Sequence, residues 1–243
     1  MESYRLTYKP YGGHAILIEW PSKIDENILK DVILFKNKIV NKDIKVIVDI
    51  INTYNSLTII YNTAIKKIYD EILTLKSIYK EPLLQKKDKN YHWTIPVCYD
   101  QNFGLDLEEI SNRTKLSIDE IIKIHSSTIY TVYFIGFLPG FLYLGGLPKK
   151  LYFDRKSNPR LVVEKGSVGI GGSQTGIYPI QSAGGWNIIG KSPISFFDTK
   201  KNNPCFAKAG DTIKFSSIGL EEFRQIEDQS KIGNFRLEKK IAK

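Results

Sequence analysis

Gly166-Ser-Val-Gly-Ile-Gly-Gly-Ser-Gln-Thr-Gly-Ile-Tyr-Pro179 places five glycines among fourteen residues, with Val168, Ile170, Thr175 and Ile177 between them. A helix cannot absorb that many glycines, whereas short strands joined by tight turns can. A second glycine-dense stretch, Gly136-Phe-Leu-Pro-Gly-Phe-Leu-Tyr-Leu-Gly-Gly146, lies just upstream. Around these two, Thr131–Ile135, Leu161–Val163, Ser167–Ile170 and Asn187–Ile189 read as short strands. Helical periodicity is absent from Tyr130 to the tail. Many short strands with Gly/Pro turns predict a β-barrel or sandwich.

Outward from this region, His92–Tyr99 reads as a strand broken at Pro96. Two short helices should follow. Asp106 and Glu109 form a D-x-x-E start, and Ser117 and Glu120 an S-x-x-E capping box. The N-terminal third has a different texture. Tyr4–Tyr8 and Ala15–Trp20 read as strands around Gly12-Gly13. Asp25 caps a helix carrying Ile28, Leu29, Val32, Ile33, Ile39 and Val40 at helical spacing. Ile44–Ile51 reads as a strand covered on both faces, Leu57–Tyr61 as another, and Ile65–Ile78 as a second helix. The expected fold class is α+β, with a small α+β domain over 1–84 and a barrel domain over 91–227. A lysine-rich linker at 85–90 separates them, and a basic tail covers 228–243.

The net charge of +9 divides as +4 over residues 1–90 and +5 over 91–243. Basic residues scattered this evenly describe a solvated surface, not the concentrated face of a nucleic-acid binder. The helix at Ile118–Ser126 carries Asp119 and Glu120, which argues against a helix-turn-helix reader. No run of 18 apolar residues is present, and the N-terminus has no apolar signal core. Cys98 and Cys205 lack CxxC partners, and His14, His92 and His125 have no metal-ligand spacing. The expectation is a cytoplasmic chain without bound metal, nucleic acid or membrane.

Gly185–Ser192 matches G-x-x-x-x-G-K-[ST] literally. Trp186-Asn187-Ile188-Ile189 favours a strand, however, and Pro193 opposes the helix a phosphate-binding loop needs. His125 falls on the apolar stripe of its helix and should point toward the barrel, as a hydrogen-bonded core residue or as an acid–base group. Phe137, Phe141, Tyr143, Tyr178 and Trp186 could line a pocket, together with Pro139 and Gly140 of the first glycine stretch. Ser173, Gln174 and Thr175 would supply hydrogen bonds. The alternative is barrel corners packed with aromatics.

These segments resemble the B subunit of 5-oxoprolinase and the related sporulation-kinase inhibitor KipI. The resemblance rests on Gly136–Gly146, on R-x-x-x-P-R at 155–160, on Gly166–Pro179 and on G-G-W-x-x-I-G-K-S-P at 184–193. It is strong from about 95 to 215 and weaker in 1–90. Leu142 stands where the family commonly has proline, and Gly190-Lys191-Ser192 where it often has Gly-Arg-Thr. The family includes one carboxyltransferase-domain half related to urea amidolyase and allophanate hydrolase.

The resemblance implies a cyclophilin-like barrel and one component of an ATP-dependent enzyme opening 5-oxo-L-proline to glutamate. ATP with Mg would serve the assembled enzyme, and the C and A subunits of 5-oxoprolinase would be partners, the former in a stable complex. A kinase-inhibitor role, or a carboxyltransferase-type half acting on a urea-like substrate, are the alternatives. By the same implication Arg155 and Arg160 fork to a carboxylate or phosphoryl group, unless Asp154 and Glu164 pair with them. Gln174 would hold the lactam, and His125 would act as acid or base.

Overall fold

The computed structural model describes residues 4–82 and 89–242. The 84 boundary and most of the expected linker therefore lie outside the described residues. The chain divides into two compact units, Met1–Asp88 and Lys89–Lys243.

The first unit runs β1 (Thr7–Tyr11), β2 (Ala15–Glu19), α1 (Glu26–Asn41), β3 (Ile47–Asn52), β4 (Ser56–Tyr61) and α2 (Ile68–Lys80). Its sheet has the order β1-β2-β4-β3, with every pair antiparallel. Ile16, Ile18, Leu57 and Ile59 from the sheet meet Val32, Phe35 and Leu75 from the helices. Asp25 caps α1 as the sequence implies, accepting from the backbone N–H groups of Asn27 and Ile28. Two strands differ from expectation. β1 continues through Pro10 to the Gly12-Gly13 turn, because an edge strand tolerates a missing N–H. β3 is also an edge strand, with Val48 and Ile51 exposed, so its apolar run does not mean cover on both faces.

The second unit runs β5 (Tyr91–Cys98), α3 (Leu107–Thr114), α4 (Ile118–Ser127), β6 (Ile129–Ile135), β7 (Leu142–Gly145) and a 3-10 turn at Lys149–Leu151. It continues with β8 (Arg160–Val163), β9 (Ser167–Gly171), β10 (Gln174–Ile177), β11 (Ser182–Gly184), β12 (Asn187–Lys191), β13 (Thr212–Ile218), α5 (Leu220–Lys231) and β14 (Glu238–Ile241). Strands β12-β9-β10-β7-β6-β13-β5 close into a seven-stranded barrel where Lys191 of β12 meets Cys98 of β5. The expected barrel is therefore present, within an α+β chain.

Strand β14 joins the barrel from outside, along Tyr91–Thr94 of β5, and β8 with β11 forms a separate two-stranded ribbon. The expected tail boundary at 228 falls inside α5. Strand β5 is continuous through Pro96, which lies between its β14 and β12 pairings, where a missing donor is tolerated. Val168, Ile170, Ile177, Leu142, Leu144 and Phe215 fill the interior. No described helix is long and apolar enough to cross a membrane.

Candidate functional site

His125 lies on the inward face of α4, wholly buried. Its ring stacks on Phe215 with centroids 4.6 Å apart. Nδ1 lies 2.7 Å from the Tyr99 hydroxyl, and Nε2 lies 2.9 Å from Thr175 Oγ1. Thr175 donates its own proton to the Gly169 carbonyl, so it must accept from Nε2–H. Nδ1 is left to accept from Tyr99, which assigns the neutral tautomer. Burial pushes the His125 pKa down to about 3, consistent with a ring that stays neutral. Thr175 is therefore inside the barrel with His125, not beside the other expected ligand-binding residues.

The outer barrel wall explains the glycine density. Successive strand residues face opposite sides, so Gly169, Gly171 and Gly176 point outward where Val168, Ile170 and Ile177 point in. A Cβ on Gly171 would come within 2.6 Å of the Trp186 indole, and one on Gly176 within 2.9 Å of it. The glycines make a floor on which Trp186 lies, so their open space is filled by an aromatic rather than left to a ligand. Phe141 meets Trp186 and Tyr178 edge-on at 5.4 and 5.1 Å, and Tyr143 stacks on Phe134 at 4.2 Å. Gln174 shares the outward side with Gly176, and its Nε2 is buried with no partner among the described residues.

Gly140 is buried at positive φ against Phe197, and the Leu142 departure is a fully buried strand residue. Pro139 and Phe137 are exposed at the loop tip. Phe137 adopts φ +66 while 64% exposed, a strained conformation with no burial to account for it.

The two arginines have different partners. Arg160 gives a two-pronged contact to Asp106, NH1 to Oδ2 at 2.9 Å and NH2 to Oδ1 at 2.7 Å. Neither Asp154 nor Glu164 supplies that partner; Glu164 instead holds Lys191 at 2.5 Å. Asp106 sits at the N-terminus of α3 yet makes no side-chain cap. Its carboxylate also holds Lys156 at 2.8 Å and accepts the Ile188 backbone N–H at 2.6 Å. Burial opposes ionisation, but the bonds from Arg160, Lys156 and Ile188 outweigh it and hold the carboxyl below its ordinary range. The D-x-x-E signal thus marks a charged clamp rather than a cap.

Arg155 is exposed and has no carboxylate partner among the described residues. Its guanidinium lies 5.6 Å from the Trp186 ring centre. Burial raises the Tyr143 and Tyr178 hydroxyls, and the positive charge of Arg155 opposes both shifts, which places it near the two rings. It borders an open cleft of about 360 Å³, floored by Phe153 and Asn187 and flanked by Lys156, Glu109 and Arg113. Arg113 lies 4.3 Å from the centre of the Phe153 ring. Sequence reasoning misses Asp106, Lys156 and Asn187 as parts of this region. Asp106 presents itself as a helix start, and Asn187 is submerged in the accidental phosphate-loop match. In the structure, Asn187–Lys191 is a strand with no helix after it.

Residues 6–207 match the family described as carboxyltransferase domain, subdomain C and D. The chain belongs to that family. It is 46% identical over 136 residues to the 5-oxoprolinase B subunit of Bacillus subtilis, covering 56% of this chain and 57% of that protein. It is 38% identical over 173 residues to the 5-oxoprolinase B subunit of Escherichia coli O157:H7, covering 71% and 79%. The chain thus spans little more than half of the first relative's length.

The crystal structure of TTHA0988 superposes with a TM-score of 0.73 at 28% identity, over 84% of this chain and 40% of that one. The urea carboxylase of Kluyveromyces lactis shares the fold, with a TM-score of 0.83 at 18% identity, over 99% of this chain and 24% of that one. This chain therefore resembles proteins named as separate subunits and, in fold, segments of longer polypeptides.

Proposed function

We propose that this chain is the B-type component of an ATP-dependent 5-oxoprolinase, opening 5-oxo-L-proline to L-glutamate together with separate C and A subunits. The observation that carries the reading is its identity of 46% and 38% to proteins named as 5-oxoprolinase B subunits. The chemistry suits an assembly. A lactam is resonance-stabilised, so opening it at neutral pH calls for activation. Transfer of the ATP γ-phosphoryl group to the lactam oxygen releases ADP and creates a leaving group. Water then adds to the activated carbon and the ring nitrogen leaves as the amine, giving an acyl phosphate, which a second water hydrolyses to the carboxylate and inorganic phosphate. ATP with Mg serves the assembled enzyme, in the cytoplasm, and no metal is assigned to this chain.

Within this reading Arg155 is the residue that meets the ligand's carboxylate or the phosphoryl charge, since its guanidinium is exposed and uncommitted. Arg160 acts through Asp106, and His125 through Tyr99 and Thr175, so both are positioning residues. Reconstitution of the three-component enzyme tests the function. ATP-dependent glutamate release should require this chain, and Arg155→Met should lower kcat/KM at least about tenfold, or about 1.4 kcal/mol of transition-state stabilisation. Undiminished release without the chain would overturn the proposal.

A further inference from the structure

Asn187 stands at the start of β12 and on the floor of the cleft, only 1% exposed. Its Nδ2 donates to the Asp154 carbonyl at 2.8 Å and to the Ile170 carbonyl at 3.3 Å. Those two carbonyls fix the amide's orientation, because a flipped Asn187 would set its oxygen against both. Oδ1 is then a buried acceptor with no donor among the described residues. A buried acceptor is costly to leave unmatched, so such a group calls for a donor. Around the same cleft Arg113 and Lys156 are engaged by Glu109, at 3.8 and 2.9 Å, while Arg155 is not engaged by any described carboxylate. The cleft therefore offers one uncommitted cation and one uncommitted acceptor. Its volume falls within the roughly 300–1,000 Å³ of small-molecule sites.

We infer that Asn187 is a specificity-determining residue of this cleft, accepting the N–H of a small carboxylate that also carries an amide, while Arg155 holds the carboxylate. The inference rests on the proposed function in taking a lactam acid as the natural example of that class. Oδ1 is itself buried, and the loop that carries Asp154, Arg155 and Lys156 lines the same cleft. That loop is tied to β12 by the Asn187 amide, and to the turn before β12 by the Lys156 N–H, which donates to the Gly185 carbonyl at 2.7 Å. Contact with the buried Oδ1 needs local movement of the cleft wall, so the Lys156 backbone amide and the Asn187 side-chain amide should both respond to binding. An oxygen in place of the ligand's N–H would turn lone pairs toward Oδ1. A site built to accept a hydrogen bond rejects the analogue lacking the donor.

The test compares two isosteric pairs on the full chain by NMR titration. One pair is 5-oxo-L-proline and its lactone analogue, 5-oxotetrahydrofuran-2-carboxylate. The other is N-acetylglycine and acetoxyacetate. In at least one pair the amide should bind at least about tenfold more tightly than its ester, with shifts at Lys156 and Asn187 that Arg155→Met abolishes. No ester is a protein variant, so misfolding cannot mimic this result. Preference for N-acetylglycine over its ester, without binding of 5-oxo-L-proline, would keep the inference and count against the 5-oxoprolinase reading. Equal affinities within both pairs, shifts remote from the cleft, or no binding of any probe would overturn the inference even if the reconstituted enzyme is active.

Discussion

At His125 the fold holds a buried, neutral imidazole. It accepts from Tyr99, donates to Thr175 and stacks on Phe215, fully buried. With its pKa pushed down to about 3 in the folded chain, against about 6.5 when unfolded, the unfolded state takes up the proton first as pH falls. The contribution of His125 to stability is thus intact above about pH 6.5 and is lost progressively between there and about pH 3. Urea midpoints measured from pH 7.5 to 4 should fall for the wild type. The decline should be shallower for His125→Gln, which keeps a donor and an acceptor without titrating. Parallel slopes would mean that other groups govern the acid limb. An apolar helix stripe is enough to place this ring inward. The sequence cannot show that both nitrogens are satisfied by residues distant in the chain, Tyr99 and Thr175.

Several elements converge on Asp106: the start of α3, the Ile188 N–H of β12, Arg160 at the start of β8 and Lys156 in the loop before it. Removing one prong of such a clamp differs from removing its centre. Arg160→Lys keeps the charge and loses the fork, so it should cost about 1 kcal/mol of stability. Asp106→Ala leaves the half-buried Arg160 and the buried Ile188 N–H without their acceptor and should cost about 3 kcal/mol. Chemical denaturation measures both, and the reconstituted enzyme's kcat/KM should change less than threefold in Arg160→Lys. A fall of roughly tenfold or more in kcat/KM with unchanged stability would return Arg160 to the ligand. Element types are legible wherever period or turn chemistry is local, as in the capped α1 and α4 and the short barrel strands. The clamp is not, because Asp106 and Arg160 are far apart in sequence and Asp154 and Glu164 are nearer candidates. Glycine density alone marks the two stretches as places of close approach. What approaches the glycines of Gly166–Pro179 is Trp186, which only the fold discloses.

Over the whole molecule, the +9 charge divides as +4 over residues 1–90 and +5 over 91–243, so it is not concentrated in one stretch as a polyanion site would require. The exposed apolar residues of the second unit say more about partners. Leu161 is 89% exposed on the β8–β11 ribbon, Val162 and Ile180 are exposed beside it or close in sequence, and Phe137 is strained and exposed at its loop tip. Under the proposed function, in which the chain is one component of a multi-chain enzyme, side chains of this kind belong to an interface core more naturally than to a solvated surface. This chain matches only 40% of TTHA0988, so there the remainder lies on the same polypeptide. Under the proposed function the corresponding contact here is made with a separate C-type partner. Co-expression followed by size-exclusion chromatography should give one co-eluting complex at micromolar concentration. Leu161→Asp should weaken it at least about tenfold by burying an unpaired charge in the contact, while leaving the thermal midpoint within a few degrees, since so exposed a side chain adds little packing to the free chain. Phe137→Ser supplies a second, independent variant on the loop. Co-elution unaffected by either substitution would place the interface elsewhere on the barrel, and separate elution of the wild-type chains would remove the complex itself.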